Sequence, residues 1–232
     1  MKILISCINS NSTGGSECFH YELIMGLSEY KDLDITFATL TVPNLEFIHF
    51  KNLLSKGVKI SDLHSLDDNF DLIIVSQPYP TIVCINKWPL TPKINIIHSI
   101  LRSEEPIIHN SIVKTVSVQV DIKKGLKRFH DIDSELIYNP VDETRFNPDI
   151  HSNQHKVEGI RGIFVGEAND PLRAPMLDHL VENCKQKGWN LDIISRGKRD
   201  FQSDLINFIE PCYNTELLLK NADFAAGLLG RV

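Results

Sequence analysis

Three places in this sequence combine residue types that could hold or transform a ligand. The first is Ser12-Thr13-Gly14-Gly15-Ser16-Glu17, set between the apolar run Ile3 to Ile5 and a helical stretch that begins near Ser16. Paired glycines let the backbone come close to a ligand, and a helix N-terminus turns free N–H groups toward an anion or a sugar hydroxyl. The same pair also suits an ordinary turn. It is not a GxGxxG fingerprint, and no acidic residue closes the next apolar run at Ile35 to Thr41, which argues against an NAD enzyme.

The second place is His98, the last residue of Asn95-Ile96-Ile97-His98. An imidazole at the carboxyl end of a central strand can hydrogen-bond a ligand in the crevice there, and it can equally be a packed, satisfied core histidine. The third is a pair of cations. Arg173 lies in Asp170-Pro171-Leu172-Arg173-Ala174-Pro175 near a helix start, and Arg196 in Ile194-Ser195-Arg196-Gly197-Lys198 after a strand. A guanidinium can grip an oxyanion with two parallel hydrogen bonds, and a surface guanidinium can also simply be solvated.

The elements that must position these residues follow from hydropathy. Short apolar runs (Ile3 to Ile5, Ile35 to Ala38, Val58 to Ile60, Leu72 to Val75) alternate with the amphipathic stretches Phe19 to Leu27 and Leu45 to Leu54. That alternation predicts βαβ units and a parallel sheet. Leu72 to Val75 and Ile94 to Ile97 are almost wholly apolar on consecutive residues, as strands covered on both faces require. Further strands are expected at Thr115 to Val118 and Leu136 to Tyr138, with a helix from Asp121 to Phe129 between them and Asp121 as its N-cap.

The first domain is expected to span 1–138 and a polar linker 139–158. The pattern restarts over 159–232 with strands at Ile163 to Val165, Leu191 to Ile194, Ile206 to Ile209 and Phe224 to Ala226, and helices at Pro175 to Lys187 and Thr215 to Asn221. The fold class expected is α/β, two Rossmann-like doubly wound parallel-sheet domains. At about 75 residues the second is small for such a domain and reads as incomplete, with no closing helix before Gly230-Arg231-Val232.

Composition excludes several classes. The chain has 232 residues, 42% hydrophobic and 23% charged, which is globular composition; its formal charge of −6 argues against a nucleic-acid partner. The five cysteines have no CxxC spacing and suit a reducing compartment, and no apolar stretch approaches a membrane span, so a soluble cytoplasmic protein is expected. Lys123, Lys124, Lys127 and Arg128 could lie along one helix face near an anionic membrane as a peripheral contact, or form a solvated face. His151 and His155 share i, i+4 spacing but lack a third ligand, so no metal site is assigned.

One segment is more specific than a turn requires. Ile137-Tyr138-Asn139-Pro140-Val141-Asp142, followed by Phe146 and Pro148, resembles the interdomain signature of retaining glycosyltransferases of family 4, with Pro140 where that family often has glycine. Asn95 to His98, Val165-Gly166 and Asn221-Ala222-Asp223 fall in the same order as similar segments of the family. The resemblance runs from Gly14 to Asp223. It implies the GT-B architecture and a metal-independent, retaining transfer of a hexose from a nucleotide diphosphate sugar, a co-substrate rather than a cofactor, to a glycan or lipid-linked acceptor.

The resemblance also implies roles. Gly14, Gly15 and Gly166 would shape the phosphate and acceptor pockets, Arg173 and Arg196 would hold the donor, and His98 would face the interdomain crevice and contact the sugar or the acceptor. Two departures stand against it. Glu167 occupies the place of the family's arginine, where a carboxylate would repel a diphosphate, and the family's E-x7-E pair does not follow Gly166. Glu135 and Glu143 have that spacing, but they straddle the connection between domains and are coincidental. The departures keep open a non-catalytic, sugar-nucleotide-binding remnant working with a partner chain that completes the second domain. A sugar-nucleotide epimerase on the same architecture is a third reading.

Overall fold

The computed structural model describes residues 1–8, 15–100, 106–147, 159–171, 174–211 and 215–227. Gly14, Arg173, the His151/His155 pair, Cys212 and Gly230 to Val232 lie outside the described residues. The chain divides into two compact units, Met1–Val141 and Asp142–Arg231. Both are α/β, and every strand pairing in both is parallel.

In chain order the first unit runs β1 (Lys2–Cys7), α1 (Gly15–Leu27), β2 (Asp34–Thr39), α2 (Ile48–Ser55), β3 (Lys59–Asp62), β4 (Leu72–Ser76), α3 (Pro78–Lys87), β5 (Lys93–Ile97), β6 (Ile112–Ser117), α4 (Val120–His130) and β7 (Glu135–Leu136). The sheet order is β3-β2-β1-β4-β5-β6-β7. The chain winds outward from β1 to β3, then returns to add β4 beside β1. That reversal leaves a crevice at the carboxyl ends of β1 and β4, where open α/β sheets bind ligands.

Side chains alternate across each strand, so Leu4 and Ser6 share one face while Ile3 and Ile5 share the other. Leu4, Ala38, Ile73 and Val75 form one core with Cys84 of α3 and with Trp88. Phe19, His20 and Ile24 of α1 are buried, and the His20 ring stacks over Phe37 of β2 with centroids 6.5 Å apart. At the amino end of β5 Lys93 is fully buried, and its Nζ donates to Trp88 O (2.5 Å), Thr91 O (2.8 Å) and Ser111 Oγ (3.2 Å). Burial pushes its pKa below the usual lysine range, and all three donors are used.

The second unit runs β8 (Arg161–Val165), α5 (Ala174–Lys187), β9 (Asn190–Ile194), β10 (Ile206–Ile209), α6 (Thr215–Leu219) and β11 (Phe224–Ala226), with sheet order β10-β9-β8-β11. β8 takes the central place that β1 holds in the first unit. Phe164, Leu177, Val181, Cys184, Leu191 and Ile193 form the core between sheet and α5. A Cβ at Gly162 would come within 2.2 Å of the Phe224 ring, so this neighbouring strand pair needs glycine there. The buried Asp192 carboxylate accepts from Arg161 Nε (2.7 Å) and Asn207 Nδ2 (3.1 Å), which ties three strands together.

Two local expectations need correction. Asp121 is not the N-cap of α4: that place belongs to Gln119, in extended backbone and without a side-chain cap bond, and Asp121 sits in the first turn. A carboxylate is favoured at either position, because both lie at the positive end of the helix dipole. Helix α3 is not among the expected elements, and its sequence opens on Pro78 and Pro80, residue types common in turns. Both fall in its first turn, where a missing N–H costs no helical bond.

Candidate functional site

The carboxyl edge of the first sheet is held by hydrogen bonds among three loops. Ile8, just past β1, donates its N–H to Gln77 Oε1 (2.8 Å) and accepts at its carbonyl from Leu40 N (3.2 Å) and Thr41 N (3.3 Å). The ends of β1, β2 and β4 are thereby fixed together. Gln77 joins β4 to α3 at φ 68, ψ 146, a left-handed backbone that side chains rarely adopt. Such a residue costs roughly 1 to 3 kcal/mol and persists where surrounding contacts hold it.

Above this edge two histidines meet. His20 Nδ1 lies 2.6 Å from Ser16 O, which only accepts, so Nδ1 carries the proton and Nε2 accepts from the Ser76 hydroxyl at 3.0 Å. Burial holds the His20 pKa below the usual histidine value. His98 follows β5, packs edge-on against Phe19 with centroids 5.0 Å apart, and sits 5.6 Å from the His20 ring. Burial, with a contribution from His20, pushes its pKa down to about 3. His98 is therefore neutral at physiological pH. Its Nε2 is enclosed and has no hydrogen-bond partner among the described residues.

Gly15 is the first residue of α1, on the same helix as Phe19 and His20. A Cβ there would meet no atom within 4 Å, so nothing in the described protein itself requires glycine at that position.

In the second unit Gly166 follows β8 and donates its N–H to Ile194 O (3.1 Å), while Arg196 follows β9 and is exposed. The two loops are clamped. Glu167 Oε1 accepts from Gly197 N (3.0 Å), and Ser195 Oγ accepts from Ala168 N (2.9 Å). A Cβ at Gly197 would lie 2.9 Å from Glu167 Oε1 and 2.2 Å from Asn169 Nδ2, so the clamp depends on glycine. Two nearby cations are paired, Lys198 with Glu210 (3.6 Å) and Arg199 with Asp178 (2.7 Å). Arg196 forms no ion pair among the described residues.

Thus Gly15 and His98 share the carboxyl edge of one sheet, and Gly166 and Arg196 that of the other. Sequence reasoning did not find Gln77, His20 or Ser76. A glutamine before proline at a strand end was the available signal for Gln77, because the residue before proline is driven out of the helical region. Among the described residues no group of three or more metal-ligating side chains exists, and no helix is long and apolar enough to cross a membrane.

No protein-family model matches the chain, and no curated protein matches it in sequence. Solved structures do match in fold. A glycosyltransferase from Rickettsia africae aligns at TM-score 0.69 and 11% identity, over 97% of this chain and 72% of that one. A putative UDP-N-acetylglucosamine 2-epimerase from Listeria monocytogenes aligns at 0.59 and 10%, over 97% and 74%. An alpha-glucosyltransferase in complex with UDP and DNA aligns at 0.60 and 11%, over 97% and 71%. The fold is the GT-B fold that glycosyltransferases and UDP-N-acetylglucosamine 2-epimerases share.

Proposed function

We propose that the chain is a sugar-nucleotide-dependent glycosyltransferase of the family 4 kind, moving a hexose from a nucleotide diphosphate sugar to a glycan or lipid-linked acceptor. The observation that carries this reading is His98: a neutral ring with an enclosed, unpartnered Nε2 at the carboxyl edge of a GT-B sheet. A buried polar atom without a partner costs free energy, and a ligand hydroxyl supplies one. In this reading His98 contacts the sugar or the acceptor, Gly14 and Gly15 admit the ligand to the backbone, and Gly166, Arg173 and Arg196 hold the diphosphate. Retention of configuration without a metal requires such fixed donors and cations at the leaving group.

Glu167 bears on this reading. Its Oε1 accepts from the Gly197 N–H, so the carboxylate is engaged with the loop after β9. The family's arginine is still missing, which favours weak transfer and keeps the non-catalytic binding module as the second reading. A partner chain belongs to that second reading. The likeness to epimerases supports sugar-nucleotide chemistry as much as it supports transfer.

Binding separates the readings from other GT-B functions. UDP and UDP-hexoses should raise the melting temperature of the full chain, and Arg196→Ala should weaken UDP binding roughly tenfold, as loss of one charge-assisted hydrogen bond does. Release of UDP in the presence of an acceptor then marks the transferase, and binding without release the module. Interconversion of free UDP-hexoses without an acceptor would mark an epimerase. No thermal response to any nucleotide sugar would end all three.

A further inference from the structure

Two consecutive residues fasten the carboxyl end of β4 to three other elements. Ser76, fully buried, donates its hydroxyl to His20 Nε2 of α1 at 3.0 Å. Gln77 accepts at Oε1 from Ile8 N, just past β1 (2.8 Å), while its carbonyl accepts from Thr81 Oγ1 (2.7 Å) and Thr81 N (3.3 Å) of α3. One dipeptide thereby sets the places of α1, the end of β1 and α3.

Gln77 does so in a strained backbone. Asp131, another residue of positive φ, sits in the left-handed basin at φ 52, ψ 32, whereas Gln77 at φ 68, ψ 146 lies close to a region that is essentially glycine's alone. Glycine would remove the strain, but it has no side chain to reach Ile8 N. The apolar core does not require this glutamine, since Gln77 is half-buried and lies outside the cluster around Leu4 and Val75. What the strain secures is the bond to Ile8, whose carbonyl in turn receives Leu40 N and Thr41 N at the end of β2.

We infer that Gln77 is a positioning residue for the hexose part of the ligand, acting through Ile8 on the ends of β1 and β2 and through Thr81 on α3 without touching the sugar. The inference rests on the proposed function for the identity of the ligand, and it goes beyond that reading in assigning the strained turn a purpose.

The test measures dissociation constants of the full chain for UDP, UDP-glucose and UDP-galactose, with UDP as the reference inside each variant. Gln77→Ala and Gln77→Gly should both raise the ratio of UDP-hexose to UDP dissociation constants about three- to tenfold, an effect the size of one neutral hydrogen bond. Gln77→Gly should nevertheless melt above Gln77→Ala, the reverse of the usual order, because only glycine relieves the backbone. A merely structural glutamine would make the two effects run together, with the hexose contribution recovering in the glycine variant as stability does. Gln77→Glu keeps an acceptor for Ile8 N and loses the amide N–H groups, so it should restore the ratio and the slow exchange of the Ile8, Leu40 and Thr41 amides. Unchanged ratios in the alanine and glycine variants would overturn the inference, as would a glycine variant that melts no higher than alanine. So would failure of Gln77→Glu to restore the ratio, which would put the glutamine amide on the ligand itself. If UDP binds and neither UDP-hexose does, this inference alone falls. If none of the three binds, the proposed function falls and takes the inference with it.

Discussion

The two sheets share a plan and differ at the edge that matters. In each, a central strand, β1 or β8, has its partners added on either side, so the carboxyl ends beside it form a crevice. Among the described residues, that edge is neutral and unsatisfied in the first unit: His98 and Asn95 each carry an enclosed polar atom without a partner. In the second it is charged and closed upon itself, with Glu167 and Ser195 bonded to the opposite loop and Arg196 left exposed. Topology thus fixes where a ligand can lie, while a handful of loop residues decide its polarity.

The largest expected effect tests whether the first edge depends on its core. Ile73 is fully buried in β4, next to the strand that carries Asn95 and His98. Ile73→Ala should cost about 2 to 5 kcal/mol by leaving a cavity. Hydrogen exchange should show β4 and β5 amides losing protection. Little change there would mean that the edge is held by its loops alone.

Acid should separate the edges next. Burial holds His20 and His98 below the usual histidine pKa, so the native state stays unprotonated where the unfolded chain takes up protons, below about pH 6.5. Stability is full above that pH and falls as pH drops toward about 3, the folded value for His98. Each ring contributes a slope of up to about 1.4 kcal/mol per pH unit. Denaturant titrations between pH 7 and pH 5 (about the onset of acid destabilisation) should show this slope, and His98→Phe should roughly halve it. An unchanged slope in the variant would show that His98 titrates normally.

The smallest effect sharpens the account of the second edge. Glu167→Ala removes the acceptor for Gly197 N and should cost about 1 kcal/mol, because the carboxylate is partly exposed. Exchange at 195–197 should quicken while the β8–β9 ladder stays protected. If the loop is unmoved, the carboxylate is free to face a ligand and the repulsion expected from the sequence returns.

Much of the fold could be read from the residues because it rests on short-range pattern. Leu72 to Val75 and Ile94 to Ile97 announce covered strands, and both are central strands of the first sheet. α3 was hidden, since Pro78 and Pro80 signal a turn and only the packing of Cys84 and Trp88 on the sheet reveals a helix. The candidate site was half legible. His98 stands out at the end of an apolar run, whereas Asn95 inside the same run shows its importance only through what fails to bond it. Glu167 looked like a charge in the wrong place because its partner, Gly197, lies 30 residues away.

The division of labour between the edges is tested most directly by hydrogen exchange of the full chain with UDP alone. UDP should slow exchange in the segments after β8 and β9, around Gly166 and Arg196, and leave the end of β5 at its unliganded rate. Protection at Asn95 to His98 by UDP without a sugar, or protection nowhere, would contradict the account.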